Sequence, residues 1–176
     1  MSFRIQASMP KNNSIFYSED AKLSEAIETI FPMMTEDAFI ILNTIYIPLN
    51  YKYDVSCMIE DILIMLSRIR KDQSNGNLEI NWPSNTFACK WELQWNEGLL
   101  CINSNWNTVS GHTVQMLNEK NNIKTSIIEF LSEWKMLLEV LIKNLDECGY
   151  NEENLRDMCS LLSEYRHIEE LGMLYK

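Results

Sequence analysis

Glycine, histidine and positive charge are all scarce in this chain, and each shortage closes a class of function. Five glycines in 176 residues leave little room for a phosphate-cradling loop. No P-loop, no G-x-G-x-x-G and no H-E-x-x-H occurs. Only two histidines exist, His112 and His167, and neither has a second histidine or a cysteine at ligand spacing, so no metal site is expected. Fifteen basic residues face twenty-five acidic ones, for a formal net charge of −10. A nucleic-acid binder would usually be basic, and the only basic cluster is Arg68, Arg70 and Lys71. We read that cluster as cations complementing a helix C-terminus. No run approaches the roughly 18 apolar residues of a membrane span. Met1 to Asn13 holds no apolar stretch of signal-peptide length, from which a cytoplasmic location is expected.

What is present is acid, and it is gathered. Residues 19–37 sum to −5 and residues 146–170 to −6, which leaves the remainder of the chain at about neutral. Charge arranged this way makes a local field that steers a basic partner. The five cysteines, Cys57, Cys89, Cys101, Cys148 and Cys159, are odd in number and show no C-x-x-C. They read as reduced, buried thiols.

Hydrophobic periodicity sets an order of elements. Phe3, Ile5 and Ala7 alternate as a short strand. Ser18 is placed as the cap of a helix to Phe31, with Leu23, Ala26, Ile27 and Ile30 inside and Glu25 and Glu28 outside. Ala38 to Ile47 reads as one strand buried on both faces. Asp54 is placed as the cap of a helix from Val55 to Arg70, and Asn75-Gly76 as a turn. Leu78, Ile80 and Trp82 alternate; so do Phe87, Cys89, Trp91, Leu93 and Trp95. A two-residue turn at Glu97-Gly98 pairs Trp95 with Leu100 and Leu93 with Ile102, and brings Cys89 near Trp106. A one-residue slip would turn polar residues inward. Val109 to Leu117 is ambiguous, with an edge strand as one reading. A long helix is expected over Lys124 to Glu147, ended by Gly149, with Asn151 capping a last helix. That last helix is expected to bury Leu155, Met158, Cys159, Leu162 and Tyr165, with Glu153, Asp157 and Glu164 in one line on its outer side. The fold class is α+β: an antiparallel β-meander packed against helices, with two C-terminal antiparallel helices, in one globular domain over residues 1–176.

Each candidate site has a plainer reading. Trp82, Trp91, Trp95 and Trp106 suit a stacking platform, but such platforms come with Lys and Arg, and the meander carries only Lys90. A packed sheet face is the better account. His112, in Ser110-Gly111-His112-Thr113, has no nucleophile elbow and no orienting acid. Adjacent acids such as Glu36-Asp37 lack the spaced oxygens of a cation loop. No catalytic residue, metal ligand or cofactor is assigned.

The stretch Trp91-Glu-Leu-Gln-Trp-Asn-Glu-Gly-Leu-Leu-Cys-Ile-Asn-Ser-Asn-Trp106, with Phe130-Leu-Ser-Glu-Trp-Lys-Met-Leu-Leu138 after it, resembles small bacterial immunity proteins. These are cytosolic inhibitors encoded beside polymorphic or contact-dependent growth-inhibition toxins. The resemblance implies a non-enzymatic protein that binds and blocks one toxin domain, often a basic nuclease. The expected partner is therefore a basic protein, a cognate toxin domain, and neither nucleic acid nor membrane. The expected contact residues are Glu153, Asp157 and Glu164, with Glu152, Glu169 and Glu170 at the edge and Glu25 and Glu28 on the other acidic window. A small enzyme whose site joins His112 to a distant carboxylate, or a ligand-binding regulatory domain, stays open as the alternative.

Overall fold

The computed structural model describes residues 2–72, 74–84 and 86–174. It is α+β, with two antiparallel sheets, helices against them and a helix pair at the C-terminal end. The first sheet runs β1 (Phe3–Gln6), β2 (Ala38–Leu42), β3 (Ile45–Leu49). The second runs β4 (Asn75–Ser84), β5 (Phe87–Asn96), β6 (Leu99–Val109), β7 (Asn122–Ser126). The helices are α1 (Leu23–Ile30), α2 (Ser56–Lys71), α3 (Val114–Glu119), α4 (Ile127–Glu133), α5 (Lys135–Glu147) and α6 (Met158–Leu174). No helix among the described residues is long and apolar enough to cross a membrane.

The meander follows the register that burial demands. Trp95 pairs with Leu100, Leu93 with Ile102 and Cys89 with Trp106. Glu97 and Gly98 both take positive φ, 49° and 81°, as a two-residue hairpin turn of this hand requires. Trp82, Trp91, Trp95 and Trp106 all lie buried on the inner face. There Trp82 meets Trp91 edge-on at 5.2 Å, and Phe3 of β1 packs on both Trp91 and Phe130. The aromatic set is thus core and offers no stacking surface.

Several boundaries differ from expectation, each for a local reason. Ala38–Ile47 is not one strand buried on both faces. Asn43 and Thr44 turn at φ 46° and 72°, and make a hairpin of β2 and β3. A Thr at positive φ is uncommon, which hides the turn. Only one face of this sheet is buried, through Ile40, Leu42, Ile45 and Ile47. Pro48 lies within β3, an edge strand, where a missing N–H costs no ladder bond. Asn75-Gly76 is not a turn: it opens β4, opposite Asn96 and Trp95. Glycine is required there because a Cβ on residue 76 would sit 2.3 Å from the Trp95 indole.

Ser18 does not cap α1. The helix begins at Leu23, and the Glu25 carboxylate accepts from the Ala21 and Lys22 N–H groups at 2.8 and 3.1 Å. Asp54 does not cap α2 either. A π-helical turn, Tyr51–Val55, leads into α2, and Asn50 Oδ1 caps it by accepting from the Tyr53 N–H at 3.2 Å. Asp54 is 2% exposed. Its carboxylate accepts from the Asn50 N–H at 2.8 Å and from the Ser84 and Thr86 hydroxyls. It therefore pins the start of α2 to the β4–β5 hairpin.

The expected helix over Lys124–Glu147 is three elements. β7 pairs with β6 up to Ser126, and Ser126 and Glu129 then cap α4 reciprocally. The regular helix is interrupted at Trp134, whose N–H reaches the Leu131 carbonyl at 3.2 Å before α5 begins. Val109–Leu117 is not an edge strand; its latter part forms α3, whose Asn118 amide accepts from and donates to the Trp106 backbone at 2.8 and 3.0 Å. Gly149, at φ 95°, ends α5, with the Gly149 N–H on the Asp146 carbonyl and the Tyr150 N–H on the Leu145 carbonyl, both at 2.9 Å. Asn151 accepts from the Glu153 N–H at 2.9 Å, but it caps only turns, and α6 starts at Met158.

Candidate functional site

The two acidic windows, more than a hundred residues apart in the chain, meet in space. The junction is built on Tyr150, just past the glycine that ends α5. Its hydroxyl donates to the Asp20 carboxylate and accepts from the Tyr17 N–H at 3.1 Å. Burial, then the bond to Asp20, push this phenol up to about 12. Its ring packs on Phe16 with centroids 4.8 Å apart. Beside it the Arg156 N–H donates to the Ala21 carbonyl at 3.3 Å. The turn that carries Glu152 and Glu153 is thereby laid against the segment that leads into α1.

The loop between β1 and α1 is clamped from both sides. The Asn13 N–H donates to the Ile30 carbonyl at 2.7 Å. The Asn12 amide donates to Asn144 Oδ1 and to Glu147, both at 2.9 Å. Held so, the loop presents Ile15, Phe16 and Tyr17 outward; Phe16 is 42% and Tyr17 54% exposed. Glu19, Glu25, Glu28, Glu152 and Glu153 are exposed around the junction. A cleft of about 390 Å³ opens there, lined by Ile15, Tyr17, Asp20, Glu25, Glu28, Thr29 and Lys52. Lys52 is the one cation in this lining, its ammonium donating to the Glu28 carbonyl beside the three carboxylates. The Glu25 carboxyl is held below the usual carboxylate range by the Ala21 and Lys22 N–H groups, so it stays charged.

The expected line Glu153, Asp157, Glu164 does not form one outer face. Glu164 is 5% exposed and points inward, where it holds Arg70 with two bonds at 3.0 and 2.8 Å. Asp157 is half-buried. Glu169 pairs with Lys135 at 3.1 Å, at the start of α5, and Glu170 is exposed beside it. Since α5 has 13 residues, these two lie about 18 Å from the end of α5 that carries the junction. Glu152 and Glu153 therefore group with Glu25 and Glu28, and Glu169 and Glu170 do not. The helix phase behind the line was also wrong. α6 buries Met158, Leu161 and Ile168, while Cys159 is exposed and Leu162 and Tyr165 are only part-buried.

All five cysteines are unpaired, but not all are buried: Cys57 and Cys159 are exposed. Among the described residues no three His, Cys, Asp or Glu side chains gather as metal ligands would. His112 stands exposed in a turn at φ 59°, and no hydrogen bond joins it to Ser110. Sequence reasoning missed Ile15, Phe16, Tyr17 and Tyr150. The available signal was three large apolar residues in a row between the polar runs Lys11–Ser14 and Ser18–Asp20.

No protein-family model, no curated protein and no solved structure matches this chain.

Proposed function

We propose that this chain is a binding protein that neutralises a basic partner, an immunity-type inhibitor of a toxin domain. The carrying observation is the junction itself: exposed aromatics in the middle, carboxylates from two distant windows around them. Protein interfaces concentrate binding energy in central aromatic anchors, and surround them with a polar rim. Here Phe16 and Tyr17 supply the anchors and Glu19, Glu25, Glu28, Glu152 and Glu153 the rim. The rim steers a cationic surface in, and the aromatics hold it once water is expelled.

The partner's own basic side chains suit the cleft beside Tyr17. A lysine or arginine entering it meets Asp20, Glu25, Glu28 and the tyrosine ring, with Lys52 held to one side on the Glu28 carbonyl. The test is co-expression of the chain with the product of the neighbouring gene. Protection of growth, with a stable complex on size exclusion that Phe16→Ala/Tyr17→Ala abolishes, is the expected result. Growth protection that the double variant leaves intact would place the binding surface elsewhere.

A further inference from the structure

The basic cluster Arg68, Arg70, Lys71 is left unused by the acidic face, and it lines the rim of a separate groove. That groove, about 720 Å³, lies between α2 and α6. Leu63 and Ile64 form its apolar side, and Ile64 is 60% exposed. Ser67, Cys159, Ser160 and Ser163 also line it. All four are small, so a third helix can approach α2 and α6 closely.

The charges sort themselves by pairing. Glu164, the one acid lining the groove, is already engaged bidentately by Arg70. Among the described residues Arg68 and Lys71 make no ion pair. The groove thus presents two free cations and a fixed guanidinium beside an apolar lip. Glu152 lies at the opposite end, next to the Cys159 thiol, and it raises that thiol's pKa. The occupant's anions therefore belong at the Arg68–Lys71 end.

We propose that this groove docks an acidic amphipathic helix of a protein partner. Its apolar residues would lie on Leu63 and Ile64, and its carboxylates on Arg68 and Lys71. Helices recognised this way lay an i, i+3, i+4, i+7 stripe into a hydrophobic groove. Other anions fit less well. A small ligand needs most of its surface enclosed, and only two helices wall this groove. A nucleic acid needs a broader basic footprint.

The probe is a fluorescein-labelled peptide of about 16 residues, with leucine at i, i+3, i+4 and i+7 and glutamate elsewhere. Anisotropy is titrated with the full chain at two salt concentrations. The proposal predicts saturable binding that weakens with salt. It predicts a further loss of at least about tenfold in Arg68→Glu/Lys71→Glu and in Ile64→Asp. Both variants leave the Arg70–Glu164 pair intact, and circular dichroism checks the fold. Glu19→Lys/Glu28→Lys should bind the probe as the native chain does, which separates this groove from the acidic face. Three results would overturn the proposal: no saturable binding, equal binding of the same peptide with glutamine for glutamate, or binding unchanged in the groove variants. A preference for phosphatidylglycerol vesicles over the peptide, lost in Arg68→Glu/Lys71→Glu, would overturn it in favour of a lipid surface.

Discussion

The Tyr150 hydroxyl donates to Asp20 and accepts from the Tyr17 N–H, so one atom ties both acidic windows to the aromatic loop. Folding raises this phenol from its usual 10 to about 12, and so favours the protonated form. Its stabilisation is therefore whole below about pH 10 and fades as pH rises towards 12. We predict that Tyr150→Phe lowers stability at neutral pH and flattens the loss of stability above about pH 10. Urea unfolding across that range measures it; parallel curves for the two proteins would contradict the assignment. Asp54 is the corresponding case inside the core. Asp54→Ala takes the shared acceptor from the Asn50 N–H and from two hydroxyls that keep only each other, 3.1 Å apart, at a cost on the order of 3 kcal/mol. A urea midpoint within error of the native value would show that water replaces the carboxylate. From sequence, Asp54 looked like a helix cap because Asp is a good cap and an apolar stripe follows it. The hydroxyls that claim it are 30 and 32 residues away, and nothing local marks them.

Among elements, the meander was legible and the helices were legible only in part. Trp95, Leu93 and Cys89 alternate without a miss, and Glu97-Gly98 is a strong turn, so pattern and turn agree on one register. The β2–β3 hairpin was missed because Asn43-Thr44 interrupts a nearly continuous apolar run without a glycine. The interruption at Trp134 was invisible for a similar reason. No glycine or proline marks it, and the apolar stripe runs through it unbroken. The phase of α6 went wrong at Glu164, a charge taken as outward that in fact crosses to α2. We predict that Glu164→Ala destabilises the chain by on the order of 3 kcal/mol, since it strands the Arg70 guanidinium in a part-buried place. In a double-mutant cycle, Arg70→Ala should then add little to Glu164→Ala. Additive losses in chemical denaturation would mean that the pair contributes nothing as a pair.

At the scale of the molecule, sequence located the charge and the fold decided which charges meet. The two windows were plain in the count of acids. Their convergence was not, because it depends on Tyr150 reaching Asp20 and on Arg156 reaching Ala21. The same folding removes Glu164 from the surface and carries Glu169 and Glu170 to the other end of α5. The outcome is an acid-rimmed aromatic face at the end of α5 and a basic groove between α2 and α6. The central claim is that the convergent face receives the partner. Stopped-flow association of the chain with the product of the neighbouring gene tests it most directly, using Glu19→Lys/Glu28→Lys/Glu153→Lys at low and high salt. All three side chains are exposed, so the fold should survive. The account predicts an association rate at least about tenfold slower at low salt, with the difference shrinking at high salt. A folded triple variant that associates as fast as the native chain at low salt would contradict it.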